Sequence, residues 1–246
     1  MRPSLLRPPP KEIAAERFFV RADGEGGEGG SPVIAFLGGS LGASPINAAV
    51  QRILPGLLAT HPTVRVLWQT GAAWASRASQ TRNPHPSASQ NLSAGAIARE
   101  AGEAGRLVVR SFFEDMAAVY AASDLIVARA GALTCAEVAA LAQPAILVPS
   151  PHVAERHQHA NAEAARARGG ALVLEEAALE GEGLYESIRG LLSDNARGMH
   201  ALRAAALEAR AGDGKVDRGR GRRKDGTVCE DAATGIIVDY LCSEHL

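Results

Sequence analysis

The stretch Arg129–Gln158, RAGALTCAEVAALAQPAILVPSPHVAERHQ, decides how this chain folds. Within it, PAILVP is short, apolar and closed by prolines, which predicts a strand buried on both faces, as in a parallel sheet. LTCAEVAALA before it reads as a helix. DLIVARAG (124–131), ahead of that, is another apolar run ending in a small-residue turn. Strand, turn, helix and strand at this spacing form one crossover unit of an α/β fold. In an open parallel sheet the loops leaving the carboxyl ends of the strands surround the ligand crevice. The AGALT turn and the PHVAERHQ loop therefore share one edge of the sheet, and a site is expected there.

The same alternation continues outward in both directions. VIAFLGG (33–39) predicts the first strand, followed by a glycine-rich turn and a helix that opens with Ser44 as cap and Pro45 in its first turn. Such a turn lets backbone amides approach a phosphate, and the helix amino terminus adds positive potential there. GGSLGA lacks the GxGxxG spacing of a dinucleotide fold, which disfavours NAD. VRVLWQTG (64–71) and RLVVRSFF (106–113) predict the second and third strands, and residues 72–105 between them read as a partly disordered surface insertion. EDMAAVYAAS predicts a short helix whose Glu114 and Asp115 suit the positive end of its dipole. A helix over 156–168, a sixth strand ALVL (171–174) and helices near 184–193 and 195–210 complete the pattern. The expectation is an α/β fold with one doubly wound parallel sheet, Rossmann-like, over residues 31–210. Residues 1–30 read as a leading segment with a short helix around KEIAAERFF and then a flexible glycine-rich linker. Residues 211–230 read as a basic flexible linker and 231–246 as a C-terminal helix.

Composition narrows the function classes. With 246 residues, 46% hydrophobic content and a net charge of −1, the chain has no global excess of charge to draw it to nucleic acid or an anionic membrane. Aromatic residues make up only 4%, too few for a base-stacking surface. Cys135, Cys229 and Cys242 are widely spaced and form no disulfide framework, so a reduced compartment is the simpler assumption. The most apolar window, 132–149, is broken by Glu137, Gln143 and Pro144 and does not make a membrane span.

Glu137 is the acid of the central stretch, and it has two readings. With Thr134 it matches the S/T-x-x-E/Q capping box, in which the glutamate only bonds back to an amide; alternatively it is a ligand-binding acid at the crevice. His152, Glu155, His157 and His159 could suggest a metal site, but the histidines lack the i, i+4 spacing of a helical zinc site and no cysteine pair stands near, so no metal is expected.

Taken in order, GGSLGA followed by Asn47, WQTG, FFEDMAAVYAASDLIVARAGALT, Glu137, QPAILVPSPH and HQHAN resemble the carboxyl-terminal half of the MurG family of glycosyltransferases. Six ordered motifs over roughly residues 31–210 are far more specific than any one of them. The resemblance implies the second domain of a two-domain (GT-B type) inverting enzyme. Such an enzyme moves N-acetylglucosamine from UDP-N-acetylglucosamine to a lipid-linked muramoyl-pentapeptide in peptidoglycan synthesis, with no metal and no other cofactor. It further implies that Gly39, Ser40 and Gly42 face the diphosphate and that Glu137 accepts from the ribose hydroxyls. Phe113 would recognise uracil through its backbone amide and carbonyl. Met116, Ala132, Leu133 and Thr134 would pack around the nucleotide, His157 and Gln158 would meet the sugar, and Arg2 would reach the donor from the hinge.

The family's other half, with the acceptor site, the membrane-contact patch and the proposed base, has no counterpart here. The chain is therefore expected to bind UDP-N-acetylglucosamine without turning it over alone. The alternative reading is a non-catalytic donor-binding subunit that pairs with a separate membrane and acceptor subunit. The expected place is the cytoplasmic face of the membrane, or the plastid stroma, with peripheral membrane association only through the missing half. No nucleic-acid partner is expected.

Overall fold

Alternate residues of a strand point to opposite faces, and the central strands here are apolar at every position, so both faces of the sheet must be covered. In the computed structural model, which describes residues 5, 8–19, 31–74, 100–152 and 157–213, they are. Among these residues β1 (Val33–Leu37), β2 (Arg65–Gln69), β3 (Leu107–Arg110), β4 (Leu125–Arg129), β5 (Ala145–Val148) and β6 (Ala171–Val173) form one sheet. Every pairing is parallel, in the order β3-β2-β1-β4-β5-β6. This is the doubly wound, Rossmann-like arrangement. The helices are α1 (Lys11–Glu16), α2 (Ser44–Thr60), α3 (Met116–Ala122), α4 (Ala132–Leu141), α5 (His157–Ala167) and α6 (Gly183–Asp213), with a 3-10 turn at Glu176–Leu179.

The two faces hold separate cores. Ile34 and Phe36 of β1, Leu125 and Val127 of β4 and Ile146 and Val148 of β5 pack with Ile46, Val50, Leu57 and Leu58 of α2 and Leu184 and Ile188 of α6. The intervening residues, Ala35 and Leu37, Ile126 and Ala128, Ala145 and Leu147, pack instead with α1, α3, α4 and α5. The period of two along each strand thus sorts its residues between two helical layers. Outer strand β3 is covered less, and Val109 is about half exposed.

Several boundaries differ from the sequence reading. The folded unit starts before Ser31: α1 packs on α3, and Leu5, Ala14 and Phe19 belong to the core. Lys11 Nζ lies 2.5 Å from Asp124 Oδ1, and Asp124 Oδ2 accepts from the Val33 amide at 2.8 Å, so one carboxylate ties α1 to the start of β1. Arg17 pairs with Asp115. An amphipathic segment beside a glycine linker reads as a tether; long-range burial makes it part of the domain.

The two helices expected at 184–193 and 195–210 are joined as α6, which breaks at Ala196 in the left-handed region (φ 62). The break is sharp, because a Cβ on Gly198 would lie 2.9 Å from Leu191 Cα, a contact a straight helix does not make. Helix α6 also runs through 211–213, so those residues are not linker. Residues 72–74 and 100–103 are helical, and Ala101 is fully buried, so the expected insertion is anchored at both ends. Its middle (75–99), the glycine linker, the rest of the basic stretch and the C-terminal helix at 231–246 lie outside the described residues.

Candidate functional site

Strands β1 and β4 are neighbours, yet the helices that follow them, α2 and α4, lie on opposite faces. The chain parts there, and in an open α/β sheet this switch in direction is where the ligand crevice forms, at the carboxyl ends of the two strands. Its first wall is the glycine turn after β1. Gly39 (φ 71) and Gly42 (φ 86) are left-handed, as is Gly71 (φ 80) after β2. Gly42 and Gly71 lie backbone to backbone: a Cβ on Gly71 would fall 2.2 Å from the Gly42 nitrogen, and one on Gly42 2.5 Å from the Thr70 oxygen. The amides of Gly38, Gly71 and Ala72 donate to the carbonyls of Gln69 (3.0 Å), Ser111 (3.0 Å) and Ser40 (3.3 Å).

Behind the turn Asn47 is buried. Its Nδ2 donates to the Thr70 carbonyl at 2.7 Å and its Oδ1 accepts from Trp68 Nε1 at 2.9 Å. The front is open: a Cβ on Gly39 would meet nothing within 4 Å, and Ser40 and Leu41 are exposed. A rigid back and an open front let a ligand meet backbone amides closely. Helix α2 begins just behind, with Ala43 as N-cap and no side-chain cap, so its positive end faces the same turn. Ser44, expected as the cap, is instead the first helical residue.

The second wall is the β4–α4 turn. Gly131 is the N-cap of α4, again without a side-chain cap. Thr134 is therefore the third residue of the helix and Glu137 the sixth, and the capping-box reading fails: Glu137 is too far along to bond to an N-cap amide. Its side chain is buried, 3% exposed, and Oε2 accepts from the Tyr120 hydroxyl of α3 at 3.0 Å. Helical side chains lean toward the amino terminus of their helix. By that rule Glu137 is directed toward the Leu133 and Thr134 end of α4, while Tyr120, in the last turn of α3, also lines a cavity at the opposite edge of the sheet. Leu133 and Ala132 are exposed at the rim, while Met116 is buried at the start of α3. Asp115 caps α3, accepting from the Ala118 amide at 3.0 Å; Glu114 lies just outside the helix.

Two expected ligand groups are already engaged. The Phe113 amide, assigned to uracil, donates to Gln69 Oε1 at 3.1 Å, and the ring is buried against Phe18 and beneath the Arg110 guanidinium. Gln158 Oε1 accepts from the Ser150 amide at 2.9 Å, which leaves its NH₂ end as the group that can meet a sugar. His157 is exposed at the first position of α5. Arg2 and residues 153–156 of the PHVAERHQ loop lie outside the described residues.

The polar side chains that build the rim carry no expected role. Asn161 donates to the Ala130 carbonyl at 3.1 Å, tying α5 to the β4–α4 turn. Arg129 pairs with Glu176 and donates to the carbonyls of Val148 (3.4 Å) and Pro149 (3.3 Å), so its charge is matched within the fold. HQHAN contains Asn161, and that was its one sequence signal; Arg129, Gln69 and Tyr120 had none beyond lying in quoted motifs.

Among the described residues no group of three or more His, Cys, Asp or Glu side chains is placed to hold a metal ion. His159 Nε2 lies 3.0 Å from Glu175 Oε2. Burial pushes the Cys135 thiol up to about 12, so it is inert at neutral pH. A separate cavity of about 930 Å³ lies at the opposite edge of the sheet. It is lined by Pro32, Val64, Asp124 and Pro144, which precede β1, β2, β4 and β5, and so it is not part of the crevice.

Residues 33–215 match the glycosyltransferase family 28 C-terminal domain. Among similar proteins, the UDP-N-acetylglucosamine--N-acetylmuramyl-(pentapeptide) pyrophosphoryl-undecaprenol N-acetylglucosamine transferase of Salinibacter ruber is 37% identical over 205 residues, covering 83% of this chain and 48% of that protein. The transferase of the same name from Solidesulfovibrio magneticus is 40% identical over 178 residues, covering 72% and 45%. The crystal structure of Acinetobacter baumannii MurG superposes with a TM-score of 0.55 at 27% identity, covering 84% of this chain and 50% of that one. The chain thus spans about half the length of the relatives it matches.

Proposed function

The chain belongs to glycosyltransferase family 28 through its C-terminal domain, and on that premise we propose that it is the donor-binding half of an N-acetylglucosaminyltransferase. The donor is UDP-N-acetylglucosamine and the acceptor a lipid-linked muramoyl-pentapeptide, as the names of the relatives state for those proteins. The observation that carries the reading is the crevice between β1 and β4, where an open glycine turn and an uncapped helix start face a buried carboxylate across the switch in strand order.

In this reading the diphosphate lies on the turn at Gly39, Ser40 and Gly42, where amides and the α2 dipole hold its charge. An acceptor hydroxyl attacks the anomeric carbon while the bond from that carbon to the diphosphate oxygen breaks. The electron pair leaves with UDP, and donors already oriented toward that oxygen stabilise it as it departs. Glu137 accepts from the vicinal ribose hydroxyls, a pairing that suits an acceptor-only carboxylate. Ala132, Leu133, Thr134 and Met116 pack around the nucleoside. The Phe113 carbonyl, rather than its engaged amide, faces uracil. His157 and the Gln158 amide nitrogen meet the sugar, and Arg2 reaches the donor from the leading segment.

An inverting transfer also needs a base within hydrogen-bond reach of the acceptor hydroxyl. None of the residues assigned to the donor is free for that task, so the acceptor and the base come from the other half of the enzyme or from a partner subunit. Membrane association follows the same route, and this chain alone does not turn over. The donor site works without a metal.

Titration of the purified chain with UDP-N-acetylglucosamine and UDP-glucose tests the reading. Saturable binding that favours the N-acetyl sugar and is unchanged by EDTA is expected. Failure to bind either nucleotide sugar removes the assignment, and loss of binding in EDTA removes its metal-free form.

A further inference from the structure

The nucleotide reading uses Glu137 but not the hydrogen bond that Tyr120 donates to it. Both side chains are almost sealed, at 2% and 3% exposure, and the phenol oxygen lies 3.0 Å from Oε2. They project from different helices, α3 and α4, seventeen residues apart, so the bond fixes one helix's acid by the other helix's hydroxyl. A carboxylate with so little access to water needs donors to hold its charge, and a phenol supplies one from a fixed direction. A buried glutamate also has several torsions, and a bond to one oxygen removes most of that freedom before a ligand arrives.

We propose that Tyr120 is a positioning residue for ribose recognition: its hydroxyl holds Glu137 with the carboxylate turned to the 2′- and 3′-hydroxyls. The preference for a ribonucleotide over its 2′-deoxy counterpart then resides in the pair and not in Glu137 alone. The inference rests on the donor-site reading above, because it takes Glu137 as the ribose acceptor. It adds a specificity that neither residue shows by itself. Tyr120 touches no reacting atom and acts only through Glu137.

Two nucleotides and one conservative variant separate this role from simple packing. UDP and 2′-deoxy-UDP are titrated calorimetrically into the full chain and into Tyr120→Phe, which keeps the ring and removes one hydroxyl. The wild-type chain is expected to favour UDP by about tenfold, the scale of one hydrogen bond to a charged acceptor. In Tyr120→Phe the UDP affinity falls several-fold, that for 2′-deoxy-UDP, which keeps only the 3′-hydroxyl, falls less, and the ratio contracts toward unity. A wild-type ratio in the folded variant, or an equal loss for both nucleotides, overturns the inference, since a packing defect does not discriminate between the sugars. If the wild-type chain binds neither nucleotide, the donor-site reading fails and takes this inference with it. Should Tyr120→Phe not fold, replacing tyrosine biosynthetically by 3-fluorotyrosine changes the strength of the hydroxyl as a donor without changing the ring packing. An unaltered UDP to 2′-deoxy-UDP ratio in that protein is likewise a refutation.

Discussion

Replacing Gly71 by alanine tests the construction of the crevice independently of any ligand, with Gly39→Ala as its control. Both glycines are left-handed, with φ of 80 and 71, so both substitutions incur the same conformational cost, about 1–2 kcal/mol for an L side chain. They differ in what the new methyl meets. At Gly39 there is nothing within 4 Å, and that cost is the whole effect. At Gly71 the methyl would lie 2.2 Å from the Gly42 nitrogen and 2.3 Å from its Cα, far inside contact distance. Neither backbone can retreat freely, because Gly71 donates to Ser111 and Ala72 to Ser40 on the same strip of chain. Overpacking of about 1–3 kcal/mol and one hydrogen bond of about 1 kcal/mol add to the shared cost, giving roughly 3–6 kcal/mol in total. Against a typical domain stability of about 5–15 kcal/mol, that is a large fraction. Urea unfolding of the three proteins, followed by far-UV circular dichroism, measures the difference. If Gly71→Ala falls within about 1 kcal/mol of Gly39→Ala, the two turns are not in backbone contact and the rigid rear wall of the crevice is wrong.

Three further outcomes are expected. Glu137→Ala weakens UDP binding by about 2 kcal/mol, roughly thirtyfold, because hydrogen bonds to a charged acceptor are among the stronger ones; an unchanged calorimetric affinity in the folded variant would remove the ribose assignment. Asn47→Ala costs about 2–3 kcal/mol of stability, since it deletes the bond to Thr70 and strands the buried Trp68 indole N–H without its acceptor; a midpoint in guanidinium equal to wild type contradicts that network. In a chain with Cys229 and Cys242 replaced by serine, Cys135 resists a thiol reagent at pH 8 until the protein unfolds, because its thiol is held up to about 12. The sign of the accompanying pH effect follows from linkage. The folded value lies above the unfolded 9.0, so the contribution to stability is intact below pH 9 and is lost as pH rises from there toward 12. Rapid labelling of the native chain at pH 8, or stability that rises through that alkaline window, contradicts the burial of Cys135.

The order of elements was legible in the residues because each strand is a short apolar run bounded by glycine or proline, and each crossover has room for one helix. That pattern admits a parallel sheet and little else, and the strand positions follow it closely. Two turns at one edge, GGSLGA and AGALT, follow from the same pattern, since in a parallel sheet all carboxyl ends share a side. Local signals failed where distant contacts overrode them. Thr134 and Glu137 have capping-box spacing, but Gly131 starts the helix and places both residues inside it. Residues before Ser31 have the composition of a tether, yet Leu5, Ala14 and Phe19 fill the core beside α3.

By itself, then, the sequence determined the alternation of strands and helices and the shared edge of the GGSLGA and AGALT turns, because periodicity and turn chemistry are local properties of the chain. The partner of each polar side chain was decided only by tertiary structure. Tyr120 meets Glu137, Gln69 meets the Phe113 amide and Asn47 joins Trp68 to Thr70 across 17, 44 and more than 20 residues of chain. A side-chain hydrogen bond depends on distances of a few tenths of an ångström between elements brought together by burial, and no spacing along the chain encodes that.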